Sequence, residues 1–368
     1  MTTVLVLTVL ALVAIAIWQM TKIFELSQLK AEADSSEIAN DSDNKNNGYL
    51  LFGFLIFIYA ITIFSFAKYG KMLLPVAASD HGAEYDNLMY ISFIIIFFTQ
   101  TVTQALLYYF GYKYRGEKGK RALFYADNDR LEFIWTIIPV IVLSGLILWG
   151  LYTWTNIMDV NEDDDPLIVE LYGQQFNWTV RYGGEDNVLG DANVRMIDIN
   201  KTNILGLDEA DSYAADDIIV KELHLPVDRK VNFKIRSQDV LHSAYMPHFR
   251  AQMNAVPGMI TEFSYTPIIT TDEMRQNPEV VDKVKRTNER RAERAANGVD
   301  NSDPWEFNYI LLCNKICGKS HYNMQINIIV ETQEEYEKWM AEQTTFAEQV
   351  SDDSNPAFNV TEGAAAGQ

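Results

Sequence analysis

Cysteine is nearly absent: the chain has two, Cys313 and Cys317, among 368 residues, which excludes a multi-disulfide framework. Positive charge is also scarce, with 30 Lys and Arg against 50 Asp and Glu. A net charge of −20 excludes nucleic acid as a partner, because phosphate binding needs a basic face. Such acidity suits a basic protein partner steered by long-range attraction, or simply keeps the protein soluble. No glycine-rich dinucleotide fingerprint, P-loop or G-x-S-x-G elbow occurs, which removes the common nucleotide-binding and hydrolase readings. No C-x-x-C-H occurs either, so no haem is attached covalently to this chain.

Long apolar runs are confined to the part before residue 155. Segments 3–20, 49–66, 90–112 and 133–154 each approach the length that crosses about 30 Å of hydrocarbon as a helix. The first also has the size of a signal-peptide core. Its start, Met1-Thr2-Thr3-Val4, lacks a positive charge, so it reads as a retained span. The loop after the third segment carries Lys113, Arg115, Lys118, Lys120, Arg121 and Arg130 against three acids, which puts it in the cytoplasm. Everything after Trp154 is then exported, and the acidic loop 21–48 is cytoplasmic against the charge trend. Thr99, Gln100, Thr101, Thr103 and Gln104 interrupt the third segment, which should therefore face a helix of this chain or of a partner. Glu132, at the cytoplasmic mouth of the fourth, reads as a solvated end residue or a proton acceptor; residue chemistry alone favours the first.

The exported part begins with an acidic linker, 161–166. Short β-rich runs follow at 167–171, 193–199, 218–223, 231–235, 260–265, 309–312 and 326–330, several alternating apolar and polar residues. Strands of this size argue for a sandwich or barrel. A helical insertion at about 271–303 is marked by Asn277 as a cap, Pro278 in the first turn and Gly298 as a stop, and it is crowded with Lys and Arg. The tail, 343–368, is poor in aromatics and reads as mobile.

Between the last two runs lies Cys313-Asn314-Lys315-Ile316-Cys317-Gly318-Lys319-Ser320-His321-Tyr322-Asn323-Met324. Two thiols, an imidazole and a thioether within twelve residues form a soft set that favours copper over magnesium or calcium. His242, in a second loop at 237–243, is placed to converge on it. Two thiolates, two imidazoles and a thioether exceed the needs of one blue copper and suit two coppers bridged by sulfur. Zinc remains a rival, since Cys2His2 is a common structural zinc set, but zinc would leave Met324 unused. A simple disulfide is the third possibility. His224 and His248 are read as ordinary surface or core residues.

These residues resemble subunit II of the haem–copper cytochrome c oxidases, whose motif is C-x-E-x-C-G-x-x-H-x-x-M. Asp239-Val240-Leu241-His242-Ser243, Ala255-Val256-Pro257-Gly258 and Leu131-Glu132 with Trp135, Thr136 and Pro139 match further parts of that family. The resemblance runs over about 90–339, less the insertion. It implies a cupredoxin fold for the exported part; with the four apolar segments, the expected fold is about four N-terminal transmembrane helices, two more than the family's usual pattern, followed by an all-β cupredoxin-like sandwich. The expected divisions are an extra membrane region 1–70, a helical hairpin 71–158 and a copper-bearing domain 159–342.

The resemblance also implies a dinuclear copper centre, CuA. Cys313 and Cys317 would bridge the coppers, His242 and Met324 would complete one, and His321 with the main-chain carbonyl of Lys315 the other. Glu132 would stand at the mouth of a proton channel. Haems and CuB would belong to a partner subunit I. Lys315 replaces the family glutamate that also serves a shared magnesium site, and an ammonium cannot ligate magnesium. Phe176 replaces the family's electron-accepting tryptophan, leaving Trp178 as the second aromatic.

The implied function is acceptance of electrons from cytochrome c, a separate chain, and their transfer to subunit I, where oxygen is reduced with proton translocation. The implied place is a bacterial inner membrane, with lipid and other oxidase subunits as neighbours and the copper domain in the periplasm. The replaced tryptophan and added segments suit a donor held in a supercomplex with a quinol-oxidising complex. A quinol oxidase subunit is the first alternative, though that relative lacks the copper ligands. A copper carrier is the second, and it would give the spans and Glu132 no role.

Overall fold

The computed structural model describes residues 2–28, 41–121, 123–159, 165–198, 203–298 and 303–351. It forms two compact units, Met1–Gly70 with Phe93–Ile137, and Lys71–Ser92 with Ile138–Gln368. The boundary therefore falls inside helices α3 (Gly82–Lys113) and α4 (Asp129–Met158) and divides the hairpin expected at 71–158.

Four N-terminal helices are present: α1 (Thr2–Gln28), α2 (Asp41–Tyr69), α3 and α4. Three stretches, Asp41–Met72, Gly82–Lys113 and Asp129–Met158, are long and apolar enough to cross a membrane. The first expected span contributes, among the described residues, the shorter apolar helix Leu7–Ile23. In the first unit α2 and α3 pack through aromatic side chains: Phe66 lies edge-to-face with Phe93 and Phe97. Gly48 gives Tyr112 its space, since a Cβ there would lie 2.5 Å from the ring. The polar residues of α3 are partly self-satisfied. Thr101 and Thr103 donate to the carbonyls of Phe97 and Thr99 one turn back and stay exposed, so they do not mark the packed face.

The second unit is built around two five-stranded sheets. One sheet holds β1 (Leu167–Gln174), β2 (Asn177–Tyr182), β3 (Ile218–Val220), β5 (Val231–Ser237) and β8 (Thr261–Tyr265), in the order β3-β2-β1-β5-β8. The other holds β4 (Leu223–Pro226), β6 (His242–Met246), β7 (Ala251–Ala255), β9 (Tyr309–Cys313) and β10 (Gln325–Glu331), in the order β4-β10-β9-β6-β7. Trp178, Val180, Phe233, Ile235, Ala244, Tyr309 and Leu311 are fully buried in the main apolar core of this unit. Apart from Ala244, each of these side chains contributes about 1.5–3 kcal/mol by leaving water.

Several expectations need correction. Segment 193–199 is not a strand: Val194–Met196 forms a 3-10 turn capped by Asn193, and Ile199 lies outside the described residues. Segment 218–223 is two strands, β3 and β4, one in each sheet. β2, β6 and β7 were not expected. The outer face of the first sheet carries a buried ionic cluster, in which Glu170 accepts from Arg181 at 2.8 Å and from Arg236, and Arg181 also reaches Asp217 at 2.7 Å. Burial opposes ionisation of Glu170, but the two guanidiniums hold its carboxyl below the usual range.

The insertion is helical as expected: α5 (Thr271–Arg275) precedes α6 (Pro278–Ala296), and the Asn277 side chain accepts from the Glu279 amide at 2.9 Å. Two helices follow the sandwich, α7 (Gln333–Ala341) and α8 (Phe346–Ser351). Residues 346–351 are thus ordered within a stretch expected as a mobile tail. Phe346 is buried against Leu205 and Leu207, and its amide donates to Asp217 O at 2.7 Å. The rest of the tail, 352–368, lies outside the described residues.

Candidate metal centre

Three adjacent strands deliver the site. β9 lies between β10 and β6, and Cys313 is its last residue, paired with Ala244 of β6. His242 is the first residue of β6, and Met324 immediately precedes β10. Cys313 N donates to Met324 O at 2.9 Å, and Asn314 N to Ser243 O at 3.0 Å. The sequence places His242 and the cysteine motif in loops. The structure instead puts His242 and Cys313 at strand ends, where the ladder fixes their backbones more tightly than a loop would.

The two sulfurs lie 3.9 Å apart and form no disulfide. Cys313 Sγ has His242 Nδ1 at 3.8 Å and the Lys315 carbonyl at 3.2 Å. Cys317 Sγ has His321 Nδ1 at 3.6 Å and Met324 Sδ at 3.8 Å. Each sulfur therefore meets one nitrogen and one weaker donor. Metal–sulfur and metal–nitrogen bonds of about 2.3 and 2.0 Å spread tetrahedral donors roughly 3.5–3.8 Å apart, which the sulfur–nitrogen and Cys317–Met324 distances match; the closer Lys315 carbonyl accepts from the Cys313 thiol. His242 and Met324 are fully buried, whereas His321 is half-buried and the Lys315 side chain is exposed. Burial, then the neighbouring Cys313 sulfur, pushes the Cys317 thiol up to about 11. A cation between the sulfurs would reverse that preference, because thiolates bind metal and release their protons.

A supporting shell surrounds these donors. Asp239 Oδ1 sits 2.8 Å from His242 Nε2 and turns Nδ1 toward the sulfurs. Burial raises the Asp239 carboxyl, but hydrogen bonds from His242 and from the Gln175 and Val240 amides hold it below its ordinary value. Gln175 also donates its side-chain amide to the Cys317 carbonyl, so the turn between β1 and β2 ties both ligand loops together. Neither Asp239 nor Gln175 was picked out from sequence as a supporting residue. Asp239 had one local signal, its position three residues before His242.

Trp178 is fully buried and packs in an edge-to-face arrangement with the His242 ring, at 6.0 Å between centroids and 65° between planes. Phe176 is half-buried and touches the Cys317–Gly318 segment. A Cβ on Gly318, whose φ is +149°, would lie 2.8 Å from that ring. Glu132 belongs to the first unit, exposed in the first turn of α4. His224 and His248 are buried core residues, the former stacked at 3.9 Å on Trp339 and the latter between Phe307 and Tyr309.

Residues 67–153 match the family described as cytochrome C oxidase subunit II, transmembrane domain, and residues 167–272 match its periplasmic domain. The second match ends where α5 begins, so Cys313–Met324 lies beyond it. The chain is 30% identical over 264 residues to an alternative cytochrome c oxidase subunit 2 of Bradyrhizobium diazoefficiens, covering 71% of this chain and 81% of that one. A cytochrome c oxidase subunit 2 of Cereibacter sphaeroides is 24% identical over 286 residues, covering 72% and 76%. The crystal structure of the periplasmic domain of a Bradyrhizobium japonicum cytochrome oxidase subunit II covers 48% of this chain and 91% of its own, at 18% identity and a TM-score of 0.28.

Proposed function

The chain belongs to the cytochrome c oxidase subunit II family, and we propose that it is the electron-accepting subunit of a terminal oxidase, holding two coppers between Cys313 and Cys317. The observation that carries this reading is the symmetry of the donors. Each sulfur is flanked by one imidazole Nδ1 and one weaker donor, at 3.2–3.8 Å. That arrangement gives every ligand a place, including the methionine that zinc would leave idle. In this reading Cys313 and Cys317 would serve both coppers, His242 and Met324 would complete one, and His321 with the Lys315 carbonyl the other, a division taken from the family resemblance. Such a pair, when bound, shares one electron over both nuclei and so changes geometry little on reduction.

The chain's own residues supply the rest. Buried His242 and Met324 exclude water from one side of the sulfurs, while half-buried His321 leaves the other side within reach of solvent or a partner. Asp239 accepts the Nε2 proton of His242 and fixes its tautomer. Phe176 and Trp178 flank the approach from the β1–β2 turn. Glu132 would take up protons at the cytoplasmic mouth of α4. The electron donor is a separate cytochrome c, held in a supercomplex with a quinol-oxidising complex, and the acceptor is haem in a subunit I that also holds CuB. Lys315 presents an ammonium where a shared magnesium would need a carboxylate, so its side chain does not serve as a magnesium ligand. The site belongs on the periplasmic side of a bacterial inner membrane.

Metal analysis with EPR of the purified oxidase tests this. The expected result is two coppers in this chain and hyperfine structure from one electron shared by two nuclei. Stoichiometric zinc, or a single-copper spectrum, would sink the assignment.

A further inference from the structure

The loop between α3 and α4 carries a feature that electron transfer does not use. Leu123, Phe124 and Tyr125 are 94%, 93% and 76% exposed, in a stretch without regular structure. Apolar side chains so fully presented in sequence are unusual on a water-facing loop. The same loop is the basic one: residues 113–130 hold six Lys and Arg against three acids. Glu117 is occupied by both Arg115 and Lys120, while Arg121 and Arg130 lie exposed on either side of the apolar triplet.

We propose that this loop lies in the cytoplasmic membrane interface, with Leu123, Phe124 and Tyr125 at the headgroup–acyl boundary and the flanking cations on anionic phospholipid headgroups. The proposal rests on the reading that α3 and α4 cross the membrane. A loop of about fifteen residues joining two spans is confined to the membrane surface by its length. An aromatic and aliphatic triplet between basic residues is the composition that binds such an interface. A neighbouring oxidase subunit is the rival occupant. Its cytoplasmic loops would follow the same positive-inside bias, so they would repel this loop where anionic lipid attracts it.

The test places a nitroxide at Phe124→Cys in the assembled oxidase in nanodiscs, with the parental complex as background. Both native cysteines of this chain are buried. The label should be more accessible to oxygen than to a water-soluble nickel chelate. Replacing phosphatidylcholine by a mixture with phosphatidylglycerol should raise the oxygen-to-nickel ratio about twofold, and Arg121→Glu with Arg130→Glu should abolish that rise. Nickel access places the loop in water and overturns the proposal. Access to neither reagent places it against protein and also overturns it, as does a ratio indifferent to lipid charge. A control label at Leu143→Cys, on α4, separates the two readings. If it too reports water, the spans themselves are wrong; if it reports lipid, only the loop assignment has failed.

Discussion

Asp239 and His242 share one hydrogen bond, 2.8 Å from Oδ1 to Nε2, on the side of the imidazole that faces away from the sulfur pair. The carboxylate thus holds Nε2 and leaves Nδ1 free toward the sulfurs. Asp239→Asn weakens that control. The expected outcome is a copper affinity lower by about 10–100-fold, measured by competition with a chelator, with the EPR pattern retained in the metal-loaded fraction. Unchanged affinity would remove Asp239 from the supporting shell.

Lys315 lies with its carbonyl 3.2 Å from Cys313 Sγ and its side chain exposed. Lys315→Ala should therefore keep both coppers and the EPR pattern, because the backbone donor is unchanged. Met324→Ala should disturb the spectrum, since its thioether lies 3.8 Å from Cys317 Sγ. A lost copper in the lysine variant would show that the ammonium, not the carbonyl, matters.

Gly318 faces two demands at once, a φ of +149° and contact with Phe176 and Gln175. Gly318→Ala should cost about 1–3 kcal/mol of stability, read as a lower midpoint in denaturant. Phe176→Ala added to it should restore only part, because it clears the ring but leaves the backbone strained. Full restoration would assign the whole cost to the clash.

His248 is buried with Nδ1 2.9 Å from Val76 O, and burial pulls it down to about 4. In the unfolded chain it takes a proton near 6.5. The unfolded state therefore binds more protons between these values, and stability falls as pH drops from about 6.5 to 4, by roughly 3 kcal/mol at most. Asp217, raised by burial to about 6, acts in the opposite direction over an overlapping window. The readout is therefore the difference between the parent and His248→Gln, compared by denaturant unfolding at pH 7 and 4.5. The variant should lose less stability on acidification; an equal loss would acquit His248.

Glu170 is shared by Arg181 and Arg236 in the buried cluster. Glu170→Gln leaves two guanidiniums facing a neutral amide, and removing one partner of a buried pair costs about 3–5 kcal/mol. A large drop in unfolding midpoint with an unaltered copper spectrum is the expected result, because the cluster lies on the outer face of the first sheet. A small change would mean that water replaces the lost carboxylate.

Features that depend on near neighbours along the chain were legible before folding. Continuous apolar runs of span length are readable because hydrocarbon leaves no other choice for backbone polar groups. Asn277-Pro278-Glu279 announced α6 because capping is a contact between near neighbours. The candidate donor set was legible because Cys313, Cys317, His321 and Met324 fall within twelve residues. Tertiary structure decided what depends on distant pairing. β6 and β7, which read HSAYM and AQMNA, carry little strand preference of their own and are held by neighbours. Strands β3 and β4 look like one run and part into different sheets because the core lies between them. The register of β6 against β9 brings His242 to Cys313 across 71 residues, and the β1–β2 turn brings Gln175 to Cys317 across 142. Local residues set which donors are available; the strand ladder sets which of them meet, because only backbone pairing fixes the positions of groups so far apart along the chain.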